Sequence, residues 1–149
     1  MKIKINNEGK KIYVHNTKVR INDLNYGVHV GHQTVYEYCH DARIEFLDKM
    51  GLALDQHLDE MNFGPYSLIM SQSAANYLAE IKYGMEIDVE VYLEYAGQSY
   101  FELSYCLVNK EDQAELAKVL TTMVCFDYEN KKVSPIPENI FNYLKNSLN

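Results

Sequence analysis

The sequence predicts an α+β domain in which a long antiparallel sheet lies against one central helix, and three observations carry that prediction. The second half of the chain alternates apolar and polar residues with a period of two. A stretch around residue 40 instead repeats its apolar residues at steps of three and four. The order is one strand, that helix, and then four strands.

The first strand lies within "KKIYVHNTKVRIND", Lys10 to Asp23. In the helix, Val35, Cys39, Ala42, Phe46 and Met50 form one apolar stripe, with Glu37, Arg43 and Lys49 away from its centre. Thr34 and Glu37 have the T-x-x-E spacing of a capping box, and Gly51 supplies a stop. "PYSLIMSQSAANYLAEI", Pro65 to Ile81, reads as extended. In "EIDVEVYLEY" the residues Ile87, Val89, Val91, Leu93 and Tyr95 share one face, as expected of a half-buried antiparallel strand. "AGQS", Ala96 to Ser99, is the turn of a hairpin whose second strand resumes the alternation through Phe101, Leu103, Tyr105 and Leu107. After the turn "KEDQ", a longer strand runs from Glu115 to Tyr128. "SPIP" breaks it, and a second, short helix occupies Glu138 to Leu148. The segment Asp55 to Pro65 joins helix to sheet, as a plain surface connection or a gate.

Composition narrows the function. With 47% hydrophobic residues and no linker-like stretch, residues 1–149 are expected to form a single domain. No apolar run is long enough to span a bilayer, and "MKIKINNEGKK" lacks the apolar middle of a secretory signal, so a cytoplasmic protein without a membrane partner is expected. Cys39, Cys106 and Cys125 are odd in number and fall in apolar segments, which favours buried thiols over a disulfide framework or zinc site. A net charge of −7 argues against a nucleic-acid partner, whose binding draws on clustered Lys and Arg. The pairs Lys10-Lys11 and Lys131-Lys132 read as solvated turns or contacts for a ligand phosphate. The five histidines form no compact ligand set, and neither P-loop nor Rossmann glycines occur, so no metal and no bound cofactor are expected. Ser71 and Ser73 lack a nucleophile elbow and ordered partners.

Several motifs carry a family resemblance. Asp23-Leu24-Asn25, Gly27, His32, Tyr36 and "ARIEFL" from Ala42 to Leu47 resemble the opening signature of hotdog-fold acyl-CoA thioesterases of the 4-hydroxybenzoyl-CoA thioesterase type. "YLAEIKYGMEIDVEVYL", Tyr77 to Leu93, and "FDYENKKVSPIPENI" are similar to later segments of that family, so the likeness covers nearly the whole chain from about Lys11. The resemblance implies a sheet wrapped around the helix and paired with a second subunit in a homodimer, with a tetramer as a further pairing, acyl-CoA sites at the subunit boundary, and acyl-CoA or acyl-carrier-protein thioesters as substrates. CoA then enters only as part of the substrate.

The residues at the strand–helix junction are the candidate site. A helix N-terminus presents unpaired N–H groups and a positive dipole end to a carbonyl that gains negative charge, although every helix has one. Gly27, with Val28, lets the backbone approach a ligand. The resemblance puts Asn25 where the family's nucleophilic or general-base Asp stands, and an amide can hold a carbonyl or a water but accepts no proton at neutral pH. A polyketide-associated subgroup resembling this chain carries Asn there as well. His32 matches a family histidine and is the first candidate for general base or water holder; read without that match it is a surface histidine in a polar loop. His29 corresponds to the histidine of another family variant and is a candidate substrate contact. Asp23, two residues before Asn25, is a reserve catalytic group or a turn-closing residue. Tyr36 is a candidate wall of the acyl site, where a core tyrosine is the plainer reading. Arg43 and Glu45 are expected to order the helix or a subunit contact. Hydrolysis of an acyl thioester is thus the leading expectation, a catalytically weak acyl-CoA binding protein the alternative, and a hydratase or dehydratase the least supported.

Overall fold

The computed structural model describes residues 2–49 and 66–148. Strand β1 (Lys10–Lys18) is followed by a single 3-10 turn at Ile21–Asp23 and helix α1 (His32–Lys49). Strands β2 (Tyr66–Tyr77), β3 (Glu86–Ala96), β4 (Tyr100–Asn109) and β5 (Glu115–Asp127) follow, then the short β6 (Lys132–Val133) and helix α2 (Glu138–Leu148). The sheet runs in the order β1-β3-β4-β5-β2, antiparallel throughout, with β6 added to β5. One antiparallel sheet with a long helix along its apolar face is the α+β hotdog architecture that the sequence predicts.

Alternation places the core. Ile87, Val89, Val91 and Leu93 of β3 are fully buried; register sets Val89, Val91 and Leu93 beside Leu107, Tyr105 and Leu103 of β4 and Ala96 beside Phe101, and on the other side Leu107, Tyr105 and Phe101 pair with Ala117, Val119 and Met123 of β5. Cross-strand neighbours share a face, so these residues make one continuous apolar surface. Helix α1 covers it with Val35, Cys39, Ala42, Phe46 and Leu47, all buried. Helix α2 adds Ile140 and Leu144, and the Phe46 ring stands between those of Tyr13 and Tyr143 at centroid distances of 6.2 and 6.4 Å. The three cysteines are buried free thiols.

Three details differ from the expected pattern, and a fourth, Glu45, orders the helix as expected. Helix α1 begins at His32, and Gly31, whose carbonyl accepts from the Thr34 and Val35 N–H groups, caps it, so Thr34 lies inside the first turn. Arg43 is buried at 6% exposure, its guanidinium donating to Tyr105 Oη at 3.1 Å and to His40 Nδ1 at 2.8 Å. A long stem and a fixed donor fork let an arginine pass beneath a helix where a polar partner exists in the core. Tyr95 is 43% exposed because a β-bulge between Leu93 and Tyr95 shifts the alternation, and Ala96 takes the inward place. Glu45 turns to β1, where its carboxylate meets His15 Nδ1 at 2.6 Å. The stop at Gly51, the end of the stripe at Met50 and the connection Asp55 to Pro65 lie outside the described residues.

Phe46 carries the most concentrated part of this seam. Its replacement by Ala removes a ring packed between two others and is expected to cost about 3–5 kcal/mol. In a urea titration the midpoint falls while the slope is unchanged; a loss under about 1 kcal/mol contradicts the packing described.

Candidate active site at the start of the central helix

Between the 3-10 turn and α1 the chain folds back on itself. Leu24 bridges Val30, and the Asn25 N–H donates to the His29 carbonyl at 2.9 Å. At the tip, the Val28 N–H donates to the Asn25 carbonyl at 3.1 Å and the Gly27 N–H to Asn25 Oδ1 at 2.9 Å. The second bond is an Asx turn, and it fixes the amide: Oδ1 must face the N–H, so the Nδ2 donors face the other way. A Cβ built on Gly31 would lie 3.6 Å from Asn25 Nδ2, which places those donors beside the helix start.

At Gly27 a side chain could be admitted only if the His29 ring moved aside. A Cβ there would stand 2.5 Å from His29 Cε1 and 3.3 Å from Asn25 Oδ1. His29 Nδ1 lies 3.0 Å from the Gly27 carbonyl, which can only accept. The ring is therefore protonated at Nδ1, and the Nε2 lone pair of the neutral ring is left available. Val28 has φ of 63°, a left-handed conformation that opposes a β-branched side chain, and it is 70% exposed.

The returning arm is clamped to the segment after β2. His29 bridges Lys82, and the Val30 N–H donates to the Ile81 carbonyl at 2.8 Å. On its other side that segment is held by Leu78 and Ala79, whose N–H groups donate to the Leu116 carbonyl. Together these elements enclose a cleft of about 420 Å³ lined by Asn25, His29, Gly31 and His32, with Tyr77 and Glu80 opposite and Val30, Val35, Ile81 and Leu116 as its apolar wall. The N–H groups of Gly31, His32 and Gln33 find no acceptor among the described residues, as the first turn of a helix requires.

The cleft thus brings together Asn25, His29 and His32 and leaves other sequence candidates outside it. Asp23 is 5% exposed and faces inward, accepting from the Arg20 N–H at 2.9 Å, the Arg20 guanidinium at 3.2 Å and Tyr38 Oη at 2.8 Å. Burial alone would raise its pKa, but these three donors outweigh it and hold the carboxyl below its ordinary value. Its oxygens are committed to closing the loop. Tyr36 packs half-buried against the core, and Gly27 and Val28 form the tip of the turn without lining the cleft. Glu80 and Tyr77 were not singled out by sequence; nothing in a local pattern marks them, because only the folded chain brings the end of β2 and the segment after it to the start of α1. Among the described residues no group of His, Cys, Asp and Glu is arranged to hold a metal ion.

A model of the thioesterase-like superfamily matches residues 19–144. Among solved structures, a 1,4-dihydroxy-2-naphthoyl-CoA thioesterase from Synechocystis aligns over 89% of this chain and 95% of its own, with a TM-score of 0.80 and 20% identity. A gentisyl-coenzyme A thioesterase aligns over 86% and 98%, with a TM-score of 0.74 and 15% identity. A protein from Staphylococcus aureus solved in complex with CoA covers 95% and 86%, with a TM-score of 0.78 and 18% identity. No curated protein matches the chain.

Two stability effects follow from the loop. A carboxyl whose pKa is depressed by folding contributes stability above its unfolded value of about 3.9 and loses it as pH falls through the folded value. Wild type is therefore more stable than Asp23→Asn by a constant margin above about pH 5, and the margin closes in more acid solution; pH-resolved denaturation that shows a margin independent of pH down to about 2 contradicts this. Val28→Asn, which tolerates the left-handed backbone, is expected to raise stability by about 1 kcal/mol, read as a rise of about 2–4 °C in Tm.

Proposed function

The chain belongs to the thioesterase-like superfamily, and from that premise and the cleft we propose that it hydrolyses acyl-CoA or acyl-carrier-protein thioesters, in the manner of the 4-hydroxybenzoyl-CoA thioesterase type. The observation that carries the reading is the convergence, at one helix N-terminus, of three unpaired N–H groups, the Asn25 Nδ2 donors and the His32 ring. Donors fixed before substrate arrives stabilise charge as it develops, without reorganisation during the reaction.

In this reading the thioester carbonyl oxygen lies between Asn25 Nδ2 and the first N–H groups of α1. His32, exposed and the first residue of the helix, holds the attacking water. The acyl group runs along Val30, Val35, Ile81 and Leu116, and Tyr77 offers an aromatic surface to it. Two of the solved structures above are named as thioesterases of aromatic acyl-CoAs, which supports including such groups among the substrates tried. In this reading the acyl-CoA lies at the boundary with a second subunit, and the site uses no cofactor. The reading includes a homodimer, with a tetramer as a further pairing, since β2 is a 12-residue strand at the end of the sheet whose outer edge can pair with a second copy. Among the described residues no helix is long and apolar enough to cross a membrane; a cytoplasmic location is part of the proposal.

The identity of Asn25 favours one alternative, an acyl-CoA binding protein that lacks a base. A panel of short, long and aromatic acyl-CoAs, assayed by release of the CoA thiol, separates the two. Turnover by wild type is expected, with Asn25→Ala losing about 100-fold in kcat, the cost of one such donor, and His32→Ala losing about 10-fold or more. Tight binding of the panel without turnover, together with turnover gained in Asn25→Asp, establishes the binding protein instead.

A further inference from the structure

Asn25 cannot take a proton from water, yet hydrolysis needs a group that does. The pairing of the loop shows where a carboxylate enters the cleft. His29 stands across from Lys82, and Val30 is bonded to Ile81 in the same antiparallel register. Continued by one residue, that register sets Glu80 across from Gly31, the cap of α1. Residues directly across a ladder share a face, as do alternate residues along one strand. Glu80 therefore belongs to the face that carries His29, and Asn25 lies across from His29 on the next arm. All of them line the same cleft.

From this placement we propose that Glu80 is the general base of the site, acting on the water that attacks the thioester. The inference rests on the hydrolase reading above and names the group that reading lacks. The Glu80 backbone is held on both sides, by the Ala79 N–H on Leu116 and by the Ile81 carbonyl under Val30. Its side chain is 65% exposed, and its one charged neighbour among the described residues is Lys82 Nζ at 3.9 Å, a pair too exposed to immobilise it. The carboxylate is free to turn into the cleft.

The step balances. The Glu80 carboxylate accepts a proton from water as the water oxygen bonds to the thioester carbon. The carbonyl π pair moves onto its oxygen, which Asn25 Nδ2 and the α1 N–H groups receive. Collapse of the tetrahedral intermediate breaks the C–S bond with its electron pair on sulfur, and the proton on Glu80 passes to the departing thiolate or to solvent. A free acid and the CoA thiol leave, and the carboxylate is restored.

Glu80→Gln removes the base while keeping size and exposure, and it leaves the core untouched. With the best acyl-CoA of the panel, kcat is expected to fall about 100-fold or more, with Glu80→Asp intermediate. Affinity for a non-hydrolysable thioether analogue of that acyl-CoA is expected to stay within about threefold of wild type. The acid limb of the wild-type profile of kcat/KM against pH is expected to be lost in Glu80→Gln and kept in His32→Ala. The proposal is overturned if Glu80→Gln keeps kcat within about threefold, or if the acid limb persists in Glu80→Gln and disappears in His32→Ala. Those results leave the hydrolase reading standing; a wild type that binds the analogue and turns over nothing removes both.

Discussion

An antiparallel sheet with one apolar face must have that face covered, and in this chain one long helix does most of the covering. The inward residues of β3, β4 and β5 form a surface whose burial is the main favourable term in folding, and α1 lies along it through Val35, Cys39, Ala42 and Phe46. Two polar contacts restrict how the helix can slide or roll. Glu45 meets His15 on the β1 edge, and Arg43 reaches Tyr105 in the middle of the sheet, where Tyr105 is bonded in turn to Thr121. With axis and rotation fixed, the first turn of α1 has one place to be, beside the end of β2 and the start of β5. The site's position is a consequence of core packing.

The loop before that turn is built from short-range bonds. Asn25 bonds to residues 27, 28 and 29, and the returning arm bonds to Ile81, so the tip is cross-linked at each step. Asp23 closes the base of the loop from inside, through Arg20 and Tyr38. Such a frame is stiff enough to keep Val28 in a left-handed conformation that an isolated peptide would abandon. The same stiffness holds the Asn25 amide with its oxygen inward and its donors toward α1. Preorganisation of this kind is what makes a small number of neutral donors effective on a developing charge.

Much of this was legible from residue order, and the exceptions have physical causes. Alternation located β3 and β4, and "SPIP" located α2, because both signals are local. The helix cap was misplaced by three residues because Thr34 and Glu37 have the spacing of a capping box, while Gly31 caps through its backbone with no side-chain signature. Arg43 read as peripheral since charge alone does not reveal a buried tyrosine hydroxyl 62 residues away. Tyr95 fell on the wrong face through a bulge that no composition marks. Within the cleft, Asn25, His29 and His32 could be named together since they are close in sequence. Glu80 could not, as it arrives through the pairing of His29 with Lys82 and of Val30 with Ile81, which exists only in the folded chain.

That separation bears on why an amide stands at residue 25. A carboxylate there would lie close to the carbonyl oxygen as it becomes negative, and in a partly desolvated cleft two like charges repel strongly. An amide in the same place donates to that oxygen instead, so the position changes from an opponent of the charge to a partner of it. The gain has a condition: the proton of the attacking water must be taken from farther away, on the other side of the reacting carbon. In this fold the other side of the cleft is the segment after β2, held by Leu116 and Val30, and its exposed carboxylate is Glu80. Charge stabilisation on the loop and the base on the segment after β2 is therefore a division of labour that the fold accommodates without moving the helix.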